Sequence, residues 1–192
     1  MQRAWRRASG LVIIALTAWL GSGSARADEF AGKWEVGADL LSTTMDNDTT
    51  IDDALGWRAR GAYHFTKTHT LELTWDDVSA DSNIKTSTLS YDLNKLMISY
   101  LGSMKSKKPD SKFSTYVLFG AGQIDYDNGS DSQTSTVLQT GGGLRIKIAK
   151  SWAIRIDGRI WHFHGDSVII PRDGFFSFDI GVGASWIFGK GK

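Results

Sequence analysis

The 192-residue sequence predicts an all-β fold, an eight-stranded antiparallel up-and-down transmembrane β-barrel. Three observations predict it. Residues 175–188 place Phe176, Phe178, Ile180, Val182, Ala184, Trp186 and Phe188 at even positions, with Ser177, Asp179, Gly181, Gly183 and Ser185 between them. Successive side chains leave a strand on opposite faces, so one face is wholly apolar with aromatics at both ends while the other holds a carboxylate. The chain opens on a secretory leader. Between leader and last strand, similar segments are joined by connections that alternate between longer acidic and shorter basic, the pattern of a spanning meander with outer loops and inner turns.

The leader sets the compartment. Arg3, Arg6 and Arg7 form a basic start, residues 11–21 are almost wholly apolar, and Ala25-Arg26-Ala27 makes a small-x-small cleavage site. Residues 1–27 therefore read as a signal peptide and 28–192 as the barrel domain. An apolar run of about a dozen residues is well short of the roughly 20 that a spanning helix needs. Removing the leader takes four of the 22 basic residues and none of the 21 acidic ones, leaving a net charge of −3. Such a balance gives no reason to expect nucleic acid. Without cysteine there is neither a disulfide nor a thiolate metal site. A membrane protein without a second apolar helix crosses as a closed barrel, the other structure that satisfies every backbone group in lipid.

The strands follow in order. Residues 33–43 put Trp34, Val36, Ala38 and Leu40 on one face and Lys33, Glu35, Gly37 and Asp39 on the other. Residues 55–65 send Leu55, Trp57, Ala59, Gly61, Tyr63 and Phe65 outward and Arg58, Arg60 and His64 inward. In the third strand Leu71, Leu73 and Trp75 alternate with Glu72, Thr74 and Asp76, before an acidic loop over 77–83. Residues 85–101 change phase: Leu89, Tyr91 and Leu93 set one, Leu96, Ile98 and Tyr100 the other. A one-residue slip turns every later side chain to the opposite face, so a β-bulge is expected between Asp92 and Lys95. Residues 113–124 are apolar on both faces, with the odd positions assigned to lipid, and a loop is expected over 126–133. Residues 134–149 direct Leu138, Leu144, Ile146 and Ile148 outward and Gln139, Arg145 and Lys147 inward. From Trp152, Ile154, Ile156, Gly158 and Ile160 point outward while Arg155, Asp157 and Arg159 point inward. Both prolines, Pro109 and Pro171, fall in connections, as full pairing of every strand requires.

The inward set defines the candidate site. Glu35, Asp39, Arg58, Arg60, Glu72, Asp76, Arg145, Arg155, Asp157, Arg159 and Asp179 are expected to form an ion-pair network, since eight strands leave an interior just wide enough for side chains to fill. A symmetric last hairpin sets Arg159 opposite Asp179, and Asp76 falls beside Arg58 or Arg60. Arg145 and Arg155 face each other, so Asp157 or an acid from further round must sit between them. This is a plug rather than a wide pore, and an apolar lumen for a hydrophobic solute is not expected. Trp34, Trp152, Trp186 and Phe188 mark one aromatic girdle, with Tyr63, Phe65 and Tyr100; Trp57 and Trp75 mark the other, with Tyr126, Trp161 and Phe176.

On these strands the chain resembles the small eight-stranded outer-membrane barrels of the OmpA/OmpX type, over essentially all of residues 33–188. Its Trp186-Ile187-Phe188 end is similar to the aromatic-x-aromatic terminus that such proteins offer to the barrel-assembly machinery, although Gly181 replaces a polar residue and four residues follow Phe188. The resemblance implies an outer-membrane location, contact with membrane lipid and lipopolysaccharide, a monomer, and a structural or surface-interaction role whose surface partner is unknown.

The sequence also bears on two rival functions. The stretch Trp161-His162-Phe163-His164-Gly165-Asp166-Ser167 resembles the His-x-Ser of a barrel family that hydrolyses lipid A, but the nucleophile is missing from its slot and Ser167 stands three residues past His164. A nucleophile must lie within hydrogen-bond reach of its base, so no catalytic residue is assigned and no enzyme is expected. A soluble lipocalin-like binder would carry its apolar face inward, the reverse of this assignment. The run Asp125 to Asp131 alternates acids but has Gly129 where a calcium loop wants an oxygen ligand and no closing Glu, so no metal and no cofactor are expected.

Overall fold

The computed structural model describes residues 30–45, 53–81, 90–105, 111–127, 129, 132–164 and 176–190. Residues 1–27, expected to be a signal peptide, lie outside these. Eight strands follow in sequence: β1 (Trp34–Thr44), β2 (Ala54–His64), β3 (His69–Asp81), β4 (Ser90–Lys105), β5 (Phe113–Asp127), β6 (Ser132–Lys147), β7 (Trp152–His164) and β8 (Phe176–Phe188). Each pairs antiparallel with its sequence neighbours, and β1 pairs with β8 to close an eight-stranded barrel. Paired residues followed around the wall from Phe176, through His162, Leu138, Ala121, Ile98, Leu73, Gly61 and Val36, return to β8 at Trp186, ten residues further along. That stagger tilts the strands by about 35–45° and sets a narrow, side-chain-filled interior.

The pleat puts greasy residues outside over the middle of every strand. Leu40, Leu73, Ile98, Phe119, Leu138, Ile156 and Val182 are exposed, while Glu35, Arg58, Glu72, Arg155, Arg159 and Asp179 are buried. Among the candidate girdle residues, Trp34, Trp152, Trp186 and Phe188 are exposed at one end, Trp57 and Trp75 toward the other. The Trp57 and Trp75 rings meet edge-on at 4.8 Å, and Trp57 Nε1 donates to Asp77 Oδ2 at 3.2 Å. An indole tethered to a carboxylate belongs at a membrane–water boundary, where one end is apolar and the other wet. Val182 lies midway between Phe176 and Phe188 on β8, at the depth where lipid is driest. Val182→Arg is expected to destabilise the reconstituted barrel by about 2–4 kcal/mol, read from the urea midpoint in phospholipid vesicles; an unchanged midpoint would place this face in water.

The expected bulge in β4 is absent. Pairs run without interruption from Asp81↔Ser90 to His69↔Gly102 on one side and from Asp92↔Asp127 to Lys105↔Ser114 on the other. Leu93, Lys95, Met97, Ser99 and Leu101 are all buried on the inner face, with Leu96 and Ile98 outside. What changes near Asn94 is the surroundings, not the phase. Past the outer edge of the bilayer the wall stands in water, so polar residues face out and apolar ones turn in. The same inversion occurs in β3 (Val78 and Ala80 buried, Ser79 exposed), in β5 (Ile124 and Tyr126 buried, Asp125 exposed) and in β6 (Val137 buried, Thr136 exposed). Strands β3, β5 and β6 thereby extend into segments expected as loops: residues 77–81, 126–127 and 132–133 are strand.

The inversion corrects the girdle and the lumen together. Tyr126 and Trp161, expected at the outer rim, are 2% and 1% exposed and point inward. They join Leu41, Met45, Ala54, Val78, Ala80, Leu93, Met97, Ile124 and Val137 in an apolar cluster that fills the outer part of the interior. At the opposite end Phe30 packs with Ala153 and Ile187. Its place below the barrel is held by Gly32, φ 79°, whose amide donates to the His64 carbonyl at 2.7 Å. The lumen is thus layered, apolar above, charged in the middle and apolar again below, where Phe30 packs with Ala153 and Ile187, and Leu101 with Tyr116 and Leu118.

Candidate functional site: the charged lumen

Between those apolar ends the described residues bury six carboxylates, Glu35, Asp39, Glu72, Asp76, Asp157 and Asp179, and six cations, Arg58, Arg60, Lys95, Arg145, Arg155 and Arg159. The charges balance, as a narrow low-dielectric interior demands. Strand β8 supplies Gly181 and Gly183 to the inner face, and a Cβ at Gly183 would meet the Ala38 carbonyl and Asp39 Oδ1. That vacated volume lets Asp39 and its guanidinium partner lie against the wall.

The upper tier gathers on Asp179. Its carboxylate accepts from Lys95 Nζ at 2.6 Å, Thr43 Oγ1 at 2.8 Å, Trp161 Nε1 at 2.9 Å and Arg58 Nη2 at 3.2 Å, donors from four other strands. Arg58 also forks onto Asp76, Nε to Oδ1 at 2.6 Å and Nη2 to Oδ2 at 2.7 Å. Lys95 Nζ lies 3.3 Å from Asp76 Oδ2 and 4.4 Å from the centre of the Trp161 ring. Trp161 therefore joins the two layers, its ring in the apolar cluster and its N–H in the charged one.

The lower tier is a chain of alternating sign. Arg159 Nη2 donates to Asp157 Oδ2 at 2.8 Å and to Glu72 Oε1 at 2.9 Å. Glu72 Oε2 accepts from Arg155 Nη1 at 2.6 Å. Arg155 turns Nη2 to the Tyr116 hydroxyl at 2.9 Å and lies 3.4 Å from Glu35 Oε1. Glu35 Oε2 takes Arg145 Nη2 at 2.8 Å and sits 3.0 Å from His64 Nε2. Arg60 binds Asp39 and gives Nη2 to Ser185 Oγ at 3.2 Å. Arg58 Nη1, 4.0 Å from Asp157 Oδ2, connects the tiers.

Every residue assigned to the network from sequence lies in it, but the partners differ in part. Of the two arginines expected beside Asp76, Arg58 is opposed in register and bonded, while Arg60 binds Asp39. Arg145 and Arg155 are opposed, and the acid between them is Glu35, from two strands away across the β1–β8 closure. Arg159 is opposite Asp179 in register yet bonds Glu72 and Asp157 instead. Long side chains in a narrow lumen reach across it, and Asp179 is already taken by Lys95 and Arg58. Lys95, Tyr116 and Trp161 were missed. For Lys95 the signal was present, since an unbroken period of two through Ile98 puts it inside.

One hydroxyl in this arrangement rests on an imidazole base, Thr70 Oγ1 at 2.8 Å from His64 Nδ1, whose Nε2 meets Glu35, but Thr70 and His64 are 1% and 3% exposed, so the pair is closed off within the lumen. His162 is half-buried on the outer face against the Phe176 ring, 4.8 Å between centres, while Ser167 lies outside the described residues. Asp125 accepts from Thr134 Oγ1 at 2.6 Å and Asp127 from the Gly129 amide at 2.7 Å, so both carboxylates close a hairpin end. No group of three or more metal-ligating side chains occurs among the described residues.

A closed eight-stranded barrel with a lipid-facing apolar belt and a charge-filled interior defines the class: a small integral β-barrel of the bacterial outer membrane. Residues 13–188 match the family described as outer membrane protein beta-barrel domain, and the chain belongs to it. Among solved structures it is similar to Neisserial surface protein A, at 13% identity and TM-score 0.59, over 82% of this chain and 98% of that one. It is likewise similar to the attachment invasion locus protein Ail of Yersinia pestis (15% identity, 82% and 99% covered, TM-score 0.53) and to OprG of Pseudomonas aeruginosa (13%, 87% and 100%, 0.53). These likenesses establish the fold. No curated protein matches the sequence. The protein resides in the outer membrane.

Proposed function

We propose that this chain is a sealed, non-conducting outer-membrane barrel whose work is structural and surface-interactive, done by its rims rather than its lumen. The carrying observation is the neutral ion-pair network closed above by the apolar cluster and below by Phe30. An ion would have to displace partners already in place to pass, and eight strands leave it no bypass. The reading includes export by a leader cleaved after Ala27, assembly through the Trp186-Ile187-Phe188 end, a monomeric state, and no catalytic activity.

The outer rim narrows the surface role. The Ail structure holds sucrose octasulfate, a heparin analogue, and a polysulfated ligand needs cations. Here exposed Asp92, Asp125 and Asp127 stand at the outer end, with Asp77 beside them. The surface therefore favours cationic partners, or lipopolysaccharide phosphates bridged by divalent ions, over sulfated glycans. In planar bilayers the purified protein is expected to give no stable conductance in concentrated KCl, and heparin beads are expected to leave it in solution. Steady single-channel steps would overturn the sealed-lumen reading, and salt-sensitive heparin retention would overturn the assigned rim polarity.

A further inference from the structure

The inner rim has the opposite sign and a regular construction. Lys33 precedes β1, Lys67 lies between β2 and β3, Lys112 precedes β5, Lys150 lies between β6 and β7, and Lys190 follows β8. Each stands within two residues of an outward aromatic: Trp34, Phe65, Phe113, Trp152 and Phe188, which are 36–52% exposed. Lys67, Lys112, Lys150 and Lys190 are exposed, and none of the five takes part in an ion pair within the described structure. No Asp or Glu side chain is exposed among the described residues of this rim; Glu35 is buried within the lumen.

We propose that this ring of lysines binds the phosphates of anionic phospholipid in the inner leaflet, selecting an annulus enriched in phosphatidylglycerol-type headgroups. Two features choose this occupant. The charges are spread around the circumference, so no single docked protein covers them, whereas a leaflet surrounds the barrel on all sides. The aromatics fix their depth: rings at the acyl boundary place an ammonium one or two residues further out at headgroup level, on stems that reach along the interface. A lysine near an anionic surface is stabilised enough to enrich that headgroup locally by up to about fivefold. The acidic outer rim lacks this attraction, so the selectivity belongs to one leaflet.

The test uses the full-length mature barrel in vesicles of phosphatidylcholine carrying spin-labelled phosphatidylglycerol or spin-labelled phosphatidylcholine, and reads the motionally restricted fraction of each label. The wild type is expected to prefer phosphatidylglycerol, and the preference is expected to vanish in about 1 M salt, where charges are screened beyond roughly 3 Å. The combined variant Lys67→Gln, Lys112→Gln, Lys150→Gln, Lys190→Gln is expected to bring the ratio near one, and the matching four Lys→Arg changes to keep it. Asp92→Asn with Asp125→Asn is expected to leave it unchanged. Equal restriction of the two labels by the wild type overturns the proposal without recourse to any variant, as does a preference that survives the Gln changes. Co-sedimentation with isolated peptidoglycan sacculi, lost in the Gln variant, together with no lipid preference, would assign the ring to the cell wall instead.

Discussion

Asp179→Ala is expected to lower the stability of the folded barrel by about 3–5 kcal/mol, the cost of removing one member of a buried charge cluster. The carboxylate is 1% exposed and holds Lys95 and Arg58, whose remaining acid within hydrogen-bond range is Asp76. Its loss leaves two cations on one carboxylate in a low-dielectric interior. The Thr43 hydroxyl and Trp161 indole also lose their acceptor. The measurement is the temperature at which the compact form converts to the unfolded band on detergent gels, with the urea midpoint in micelles beside it. Asp179→Asn keeps an acceptor oxygen for Thr43 and Trp161 and drops the charge, so its cost should lie between those of wild type and Asp179→Ala. Unchanged conversion temperatures for both variants would remove the network from the stability of this protein.

Glu35→Ala is expected to cost a similar amount, about 3–5 kcal/mol, through like charges rather than a lost hub. Arg145 and Arg155 face each other in the β6–β7 register, and Glu35 separates them at 2.8 Å and 3.4 Å. Without the acid, two guanidinium groups are left side by side in the lower lumen. Adding Arg145→Met to Glu35→Ala removes the repulsion, so the double variant should lose less than the two single losses combined. Groups that share a partner are coupled by about 0.5–3 kcal/mol, and that is the range the cycle should return. Strict additivity would mean that Glu35 acts on its own and does not neutralise the arginine pair.

How far the site was legible can be judged residue by residue. Arg155, Asp157 and Arg159 alternate with Ile154, Ile156, Gly158 and Ile160, so their direction followed from the pleat once lipid was known to lie outside. Register across β2 and β3 followed from a short turn, which placed Asp76 beside Arg58 or Arg60, and the structure selects Arg58. Trp161 was misread because an aromatic near a strand end was taken as a girdle residue; its position in the inward phase of β7, in line with Arg159, was the better guide. Leu93 and Tyr126 were misread for a different cause. Alternation reports which face is apolar, and it equates that face with the outside only while lipid is outside. Above the bilayer edge the equation reverses, and a strand that keeps its phase looks as if it had slipped.

The sequence by itself determined the export leader as an expectation, the eight strands, their antiparallel order and the charges inside other than Lys95, because a period of two between a lipid-facing and an inward face is a local property of each strand. The tertiary structure alone decided which acid meets which base and where the wall leaves the membrane. Those depend on closure: a ten-residue stagger brings β1 against β8 and sets side chains from opposite walls within reach. Reach across a lumen is fixed by its radius and by the level of each strand, and no local pattern of residues encodes either.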